Sequence, residues 1–202
     1  MKKDQLYLLD DPPPGPEGLA YAADFLSASE AAELVAAFAT LPFKPFEFHG
    51  FLGKRRTVSF GFHYAFDGSG LRQADPVPDF LRAVRDRAAA FAGHPPEALQ
   101  HVLLIEYAPG AGIGWHRDRP GFGDVIGISL LAQARLRFRR KVGDKWERAA
   151  VWAEPRSAYL LQGPARSEWE HSVPPMDQLR YSITFRTLRE GAHPTKKGPG
   201  HR

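Results

Sequence analysis

The sequence of 202 residues contains no cysteine. That absence excludes disulfides, thiolate metal sites and a cysteine nucleophile, so any bound metal must use histidine and carboxylate ligands. No stretch approaches the ~20 apolar residues that a transmembrane helix needs. The charged start at Met1 to Asp4 leads into a proline cluster rather than an apolar signal segment. We therefore expect a cytoplasmic protein.

The excess of one charge is also small, with 27 Lys and Arg against 23 Asp and Glu and a formal net charge of +4. Such a mild basic balance suits a polyanionic partner without requiring one. The length corresponds to one hydrophobic core rather than two. We expect a monomer with a single domain over residues 18–190, between a mobile N-terminal arm, 1–17, and a basic C-terminal tail, 191–202.

Periodicity predicts two helices and then many strands. Ser27 to Glu30 has the form of a capping box that opens an amphipathic helix ending near Phe38. A second helix is predicted from Asp79 to just before Pro95. After residue 100 the pattern becomes strand-like. An α+β fold with a mainly β core, a jelly-roll backed by N-terminal helices, follows from this order. The predicted strands are 101–107, 125–131, 136–138, 150–152, 157–162 and 182–188.

His116 and Asp118 are the first candidate metal ligands. Residues two apart in an extended segment point to the same side, so both side chains could reach one ion. A His-x-Asp pair by itself fits a surface turn equally well. His171 would complete two histidines and one carboxylate, the facial triad that leaves open positions on ferrous iron. Taken alone, His171 would be interpreted as a hydrogen-bonded core histidine.

The segment from Arg180 to Arg186 is a candidate anion site. On a strand, Arg180, Ser182, Thr184 and Arg186 share one side. An arginine that faces a pocket needs a carboxylate or phosphate partner, and its planar fork matches a carboxylate in bidentate fashion. A dicarboxylate cosubstrate would satisfy this requirement. The alternative is a stripe that faces solvent.

The stretch from Lys54 to Tyr64 combines positive charge with interleaved aromatic rings. Backbone contact and base stacking require this combination, so the stretch is a candidate substrate lid. The alternative is an edge strand in which Phe60 and Phe62 enter the core and the cations meet water. The candidate substrate contacts are Lys54, Arg55, Tyr64 and Trp115.

A second basic stretch alternates with apolar residues. Arg135, Arg137 and Arg139 are separated by Leu136 and Phe138, which gives one basic and one apolar face. The basic face could bind phosphate or could be a solvated sheet face.

The chain resembles the AlkB group of 2-oxoglutarate-dependent dioxygenases from about residue 18 to residue 188. The resemblance is carried by motifs in a fixed order: Tyr107-Ala108-Pro109-Gly110-Ala111, His116-x-Asp118, Pro155-Arg156-Ser157, Gly163-x-x-Arg166, Trp169-x-His171 and Arg180-x-Ser182-x-Thr184-Phe185-Arg186. It implies a double-stranded β-helix, the jelly-roll already expected, with a nucleotide-recognition lid at about residues 46–75.

The resemblance also implies the cofactors and the activity. The ligands of Fe(II) would be His116, Asp118 and His171, and O2 would be the co-substrate. The far carboxylate of 2-oxoglutarate would pair with Arg180, its ketoacid end would lie near Arg186, and the Tyr107 hydroxyl would hydrogen-bond it. The implied function is oxidative dealkylation of N-alkylated bases in DNA or RNA, with release of formaldehyde. The base must be single-stranded or flipped to reach the iron.

Two positions depart from the pattern of the repair members. Ile105 stands where many of them carry an asparagine that hydrogen-bonds the cosubstrate, and Pro120 stands where several carry an acidic residue that recognises the damaged base. The same chemistry on a methylated protein side chain, a transfer-RNA base or a small metabolite is therefore an alternative. A second alternative is a non-catalytic jelly-roll that binds alkylated bases.

Overall fold

The structure is a computed structural model that describes residues 15–48, 51–65, 70–189 and 191, with side chains described except at 48, 51, 52 and 63–65. Most of the predicted N-terminal arm and nearly all of the predicted C-terminal tail lie outside these residues. The described helices are α1 Ala28–Phe38, α2 Arg82–Ala92 and α3 Gly163–Ser167, with 3-10 turns at Asp79–Leu81 and Pro96–Ala98. The described strands are β1 Leu19–Ala22, β2 Lys44–Phe48, β3 Phe51–Phe60, β4 Phe62–Ala65, β5 Gly70–Gln73, β6 Leu99–Tyr107, β7 Ile113–His116, β8 Phe122–Leu131, β9 Ala134–Val142, β10 Lys145–Ala153, β11 Ala158–Leu161, β12 Glu170–Val173 and β13 Arg180–Leu188.

The strands form two large antiparallel sheets and a small hairpin. The seven-stranded sheet has the order β1-β11-β8-β13-β6-β3-β2, the four-stranded sheet has the order β10-β9-β12-β7, and β4 pairs with β5. The two large sheets share a core in which Ile105 and Val125 of the first meet Phe138 and Val151 of the second. The predicted jelly-roll with a mainly β core is confirmed.

The helices cover the other face of the seven-stranded sheet. Leu34 and Phe38 of α1 and Val84 of α2 pack in one cluster with Ile183 and Phe185 of β13. Strand β13 is thus buried on both faces, with helices on one side and the four-stranded sheet on the other. Among the described residues, no helix is both long and apolar enough to cross a membrane.

Local sequence determines both long helices. The Ser27 hydroxyl accepts from the Glu30 amide at 3.2 Å, and the Glu30 carboxylate accepts from the Ser27 amide at 2.8 Å, so the predicted capping box is confirmed. The second helical segment begins at Asp79 and stops before Pro95, as predicted. Its first turn is a 3-10 turn, and it ends at Ala92 because Gly93 adopts a left-handed conformation with φ +71°.

The six predicted strands are all present, but the prediction missed the first five strands, β7 and β12. The range 46–75 contains β3, which lies inside the seven-stranded sheet between β2 and β6 rather than at its edge. Residues Arg56 to Phe60 pair with β6, whereas the first half of β3 pairs with β2 alone. Phe60 enters the core, as the strand alternative required for its ring. The β2–β3 hairpin therefore projects beyond the sheet.

Candidate active site

Two short strands of the four-stranded sheet bring the candidate metal ligands together. His116 at the end of β7 is the direct cross-strand partner of His171 in β12, and their ring centroids lie 4.3 Å apart. Asp118 follows two residues after His116, and its Oδ2 lies 3.6 Å from Nε2 of His171. The three side chains that were proposed from their spacing therefore converge at one place.

Electrostatics favour the forms of these groups that bind a divalent cation. Burial lowers the pKa of His171 to about 3 and also lowers the pKa of His116. Burial alone would raise the pKa of Asp118, but the charge of Arg186 holds it well below its usual range. Two neutral imidazoles and one ionised carboxylate result, the protonation states that metal ligation requires.

The donor set fits a ferrous ion. Nδ1 of His116 donates to the Gly114 carbonyl at 2.9 Å, which leaves Nε2 with a free lone pair. Oδ2 of Asp118 is buried and has no hydrogen-bond partner among the described residues, an arrangement that a cation would satisfy. In the described ranges, however, no three His, Asp or Glu side chains already stand at a metal-holding spacing.

Arg186 contacts the candidate carboxylate ligand directly. Its Nη2 lies 2.8 Å from Oδ1 of Asp118, and its Nε donates to the same oxygen at 3.0 Å. The guanidinium also stands 3.3 Å from Nδ1 of His101 and 5.3 Å from the ring of Phe122. One carboxylate oxygen is therefore held by the arginine while the other remains available.

Arg180 occupies a buried anion pocket on the seven-stranded sheet. Only 2% of its surface is exposed, and no carboxylate partner is found for it in the described part of the chain. Its Nε donates to the Ser129 hydroxyl at 3.0 Å, and its guanidinium carbon lies 5.2 Å from the ring of Tyr107. The alternative of a solvent-facing stripe is wrong, because Ser182 and Thr184 on the same side are also buried.

Tyr159 is a member of this pocket that the sequence analysis missed. Its ring lies over Gly127, where an added Cβ would come within 2.1 Å of Cζ. Burial raises the pKa of the Tyr159 phenol to about 12, although the nearby Arg180 charge opposes that rise. The signal for this neighbour was the glycine in the middle of a buried strand, since glycine there marks a close approach by another group.

Arg166 is the other residue whose role was missed. Its buried guanidinium donates to the carbonyls of Arg119, Phe122 and Gly123 at 2.8, 2.7 and 2.7 Å. These bonds fix the loop that follows Asp118. The Gly163-x-x-Arg166 spacing was noticed, but a carbonyl-binding role for a buried arginine leaves no pattern in the sequence.

A groove of about 320 Å³ opens next to Gly114, whose carbonyl accepts a hydrogen bond from Nδ1 of His116. Arg55 stacks on the ring of Phe46, with its guanidinium carbon 3.8 Å from the ring centroid, and its charge contributes to the lowered pKa of His116. Arg55 is half-buried and has no carboxylate partner among the described residues. Its own pKa is lowered by burial. The groove is lined by Gly53, Lys54, Arg55, Gly110, Gly112, Ile113, Gly114, Arg137, Val173, Pro174 and Pro175.

Of the other two candidate substrate contacts, Trp115 does not line this groove. Trp115 precedes His116 on β7 and therefore faces the opposite side of the sheet, where the guanidinium carbon of Arg139 lies 4.5 Å from its ring. The backbone of Tyr64 belongs to β4, and its side chain lies outside the described part of the structure.

The two departures from the resemblance have different surroundings. Ile105 is buried in the core between the large sheets, so it offers the cosubstrate no hydrogen bond. Pro120 is exposed in the loop that follows Asp118.

Comparison with known proteins identifies related sequences. A model of the 2OG-Fe(II) oxygenase superfamily matches residues 18–186. The Alkylated DNA repair protein ALKBH8 homolog of Arabidopsis thaliana is 25% identical over 213 residues, which covers 91% of this chain and 59% of that protein. Uncharacterized protein L905 of Acanthamoeba polyphaga mimivirus is 30% identical over 100 residues, 43% of this chain and 47% of that protein. The chain thus spans only about half of the length of these relatives.

Solved structures share the fold. The structure of OsALKBH1 aligns with a TM-score of 0.61 and 17% identity, covering 84% of this chain and 98% of that one. A prolyl-4-hydroxylase from Pseudomonas putida aligns with a TM-score of 0.58 and 19% identity, covering 86% of this chain and 94% of that one.

Two facing antiparallel sheets with this fold are typical of the jelly-roll oxygenases. This chain belongs to the 2OG-Fe(II) oxygenase superfamily, and it is similar to AlkB homologues in sequence and in fold. It is a 2-oxoglutarate-dependent dioxygenase whose cofactors are Fe(II) and 2-oxoglutarate, with O2 as co-substrate. The resemblance found in the motifs is confirmed.

Proposed function

We propose that this dioxygenase removes alkyl groups from N-alkylated bases in DNA or RNA and releases formaldehyde. The observation that carries the proposal is the groove next to Gly114, which among the described residues is lined by three cations, Lys54, Arg55 and Arg137, and by no carboxylate. A phosphodiester strand is the ligand that such a groove suits. The name of the Arabidopsis relative, an alkylated DNA repair protein, supports the same substrate class.

His116, Asp118 and His171 would hold the ferrous ion. When bound there, iron with 2-oxoglutarate and O2 supplies the oxidation of the N-alkyl carbon. The resulting N-hydroxyalkyl group breaks its carbon–nitrogen bond, which releases the aldehyde and restores the amine. Arg186 keeps Asp118 ionised and orients it through their 2.8 Å contact. The protein therefore contributes position and charge, and no acid–base pair is required.

The Arg180 pocket would receive the far carboxylate of 2-oxoglutarate. A buried guanidinium without a carboxylate partner among the described residues is costly, and a bidentate carboxylate would compensate that cost. Tyr107 lies against Arg180 and would donate its hydroxyl to the cosubstrate. Arg186, nearer the metal ligands, would stand at the ketoacid end.

Arg55 would contact the phosphate next to the reacting nucleotide. It is half-buried beside His116, so an anion placed there would be partly desolvated and strongly attracted. Lys54 adds an exposed cation on the same hairpin, where its Nζ lies 3.8 Å from the position of a Cβ at Gly110. The base itself must be unpaired or flipped to enter.

A methylated protein side chain is the second candidate substrate. Pro120 favours it, because an exposed proline replaces the acidic side chain that would recognise a base. We further propose that residues 18–190 form one catalytic domain with a lid within 46–75. A monomeric state and a cytoplasmic location also remain predictions.

A substrate panel tests the proposal. The full chain is incubated with Fe(II), ascorbate and 2-oxoglutarate together with methylated DNA, methylated RNA or a methyl-lysine peptide, and formaldehyde and succinate are measured. We expect both products with a methylated oligonucleotide and neither with its unmethylated counterpart. Formaldehyde from the peptide alone would select the protein substrate, and succinate without formaldehyde from any of the three would reject both candidates.

A further inference from the structure

The outer face of the four-stranded sheet carries a second concentration of charge and aromatic rings. Because side chains alternate along a strand, the register of β9 with β10 and β12 places these residues on the side opposite His171. We call this surface the tryptophan–arginine face. It consists of Trp115, Arg135, Arg137, Arg139, Trp146 and Arg148.

The centre of this face is a stack of alternating rings and guanidinium groups. The guanidinium carbon of Arg139 lies 4.5 Å from the ring of Trp115 and 4.5 Å from the ring of Trp146. Arg137 lies 5.1 Å from the ring of Trp115. Glu170 holds Arg139 at 2.6 Å, and the Ser172 hydroxyl holds Arg137 at 3.0 Å. The flat groups are therefore fixed in place before any ligand binds.

Around this stack, the tryptophan side chains of β10 are exposed and two arginine charges are not paired with a described carboxylate. Trp146 is 41% exposed, and Trp152, further along β10, is 52% exposed. Arg135 and Arg148 make no ion pair with a carboxylate in the part of the chain that the structure describes. Exposed indoles beside unpaired cations suit a ligand that offers both flat rings and negative charge.

The face continues into the groove of the candidate active site. Arg137 belongs to both, since it lines the groove and also stacks on Trp115. Strand β7 is the edge strand of its sheet, so a chain-like ligand can pass around it from one side to the other. Trp115 and His116 are neighbours on β7 and point to opposite sides of the sheet, Trp115 to the tryptophan–arginine face and His116 to the candidate metal site.

We infer that the tryptophan–arginine face binds the single-stranded nucleic acid that flanks the reacting nucleotide, by base stacking on Trp146 and phosphate contact with Arg148. The inference deepens the proposed function and rests on it only for the identity of the strand as substrate. A substrate of a single nucleotide would not reach this surface, whereas a longer strand would.

Binding of unmodified oligonucleotides to the full chain tests the inference without iron or cosubstrate. Fluorescence anisotropy is measured with labelled oligothymidylates of about 5 and about 15 nucleotides. We expect Trp146→Ala combined with Arg148→Ala to weaken binding of the longer strand about tenfold or more. The salt dependence of its affinity should fall by about one phosphate contact. Trp146→Phe should retain most of the affinity, because a stacking ring remains.

The matched control is Arg82→Ala, which removes an exposed arginine from α2 on the helix side of the molecule. Circular dichroism confirms that each variant is folded. An affinity for the longer strand that is unchanged in the double variant, or that falls equally in the control, would overturn the inference. Poly-glutamate is also tested as a competitor for the labelled strand. If it displaces the strand as well as an oligonucleotide of equal charge does, the face binds an acidic protein and the inference is overturned. Because this assay uses unmodified strands and no iron, it tests the face even if the protein does not dealkylate nucleic acid.

Discussion

The two faces of the four-stranded sheet are made by the same strands and have opposite chemistry. His116 and His171 point inward, where burial lowers the pKa of both imidazoles. Their neighbours Trp115 and Glu170 point outward, into a layer of stacked rings and arginines. A single-residue alternation thus separates the buried candidate metal site from the charged tryptophan–arginine face. Charge on the inner side should affect the reaction, and charge on the outer side should affect the length of strand that binds.

The largest effect is expected from removing an inward ligand. His116→Ala should abolish iron binding and turnover while the fold is retained, because two remaining donors do not complete the triad. Anaerobic titration with ferrous iron, followed by succinate measurement, checks this. His94→Ala is the matched control, since His94 pairs with Asp124 at 2.9 Å and belongs to neither face of the sheet. Tight iron binding by the His116 variant would show that the iron site has been assigned to the wrong residues.

Arg180→Ala should act on the cosubstrate rather than on the metal. Loss of a buried charge-assisted hydrogen bond is expected to weaken 2-oxoglutarate binding about 10- to 100-fold. The apparent KM for 2-oxoglutarate and the iron affinity are measured separately. Removal of an outward arginine, Arg135→Ala, should leave the KM for 2-oxoglutarate unchanged. Equal effects of the two substitutions would break the distinction between the faces.

Gly127→Ala should destabilise the floor of the cosubstrate pocket. The new methyl group would meet the ring of Tyr159 at 2.1 Å, and overpacking of this kind costs about 1–3 kcal/mol. Urea denaturation gives the change in the free energy of unfolding. Gly114→Ala, at a position where an added Cβ meets nothing within 4 Å, should stay near the parent. A stable Gly127 variant with unaltered 2-oxoglutarate binding would show that Tyr159 is free to move.

The smallest effect on stability is expected from the ion pair between Glu30 and Arg87, which lies in the helix layer and is partly exposed. Hydrogen bonds from Arg87 and from Ser27 lower the pKa of Glu30 from 4.5 to about 2. A depressed folded pKa stabilises the protein above the unfolded pKa, and this contribution is lost as pH falls from about 5 towards 2. Both side chains are about one-third exposed, so the gain is at most ~1 kcal/mol. Glu30→Gln should flatten this part of the stability–pH curve, and an unchanged slope would contradict the assignment.

Sequence patterns predicted elements well where the signal is local. The capping box of α1 and the strands β6, β8, β9, β10, β11 and β13 carry such a signal in neighbouring residues, and they were found. Strands β7 and β12 were missed because their sequences, Ile-Gly-Trp-His and Glu-His-Ser-Val, lack the apolar run that marks the equally short β11. The candidate ligands they carry were nevertheless identified, since residue type and spacing were sufficient.

The sequence could not predict which face of a strand points into the interior of the protein. Alternation along β13 indicated that Arg180 and Arg186 share a side, but not whether that side meets water. Helices cover one face of the seven-stranded sheet and the four-stranded sheet lies across the other, so both sides of β13 are buried. For the same reason Trp115 was grouped with substrate contacts near the metal, although the two sides of β7 separate it from them.

The most direct test of the account is the position of the iron. Crystals grown without oxygen in the presence of ferrous iron and 2-oxoglutarate are measured at the iron absorption edge. The account predicts one strong anomalous peak bounded by His116, Asp118 and His171, with the cosubstrate extending towards Arg180. A peak elsewhere, or a cosubstrate whose far carboxylate lies away from Arg180, would contradict it.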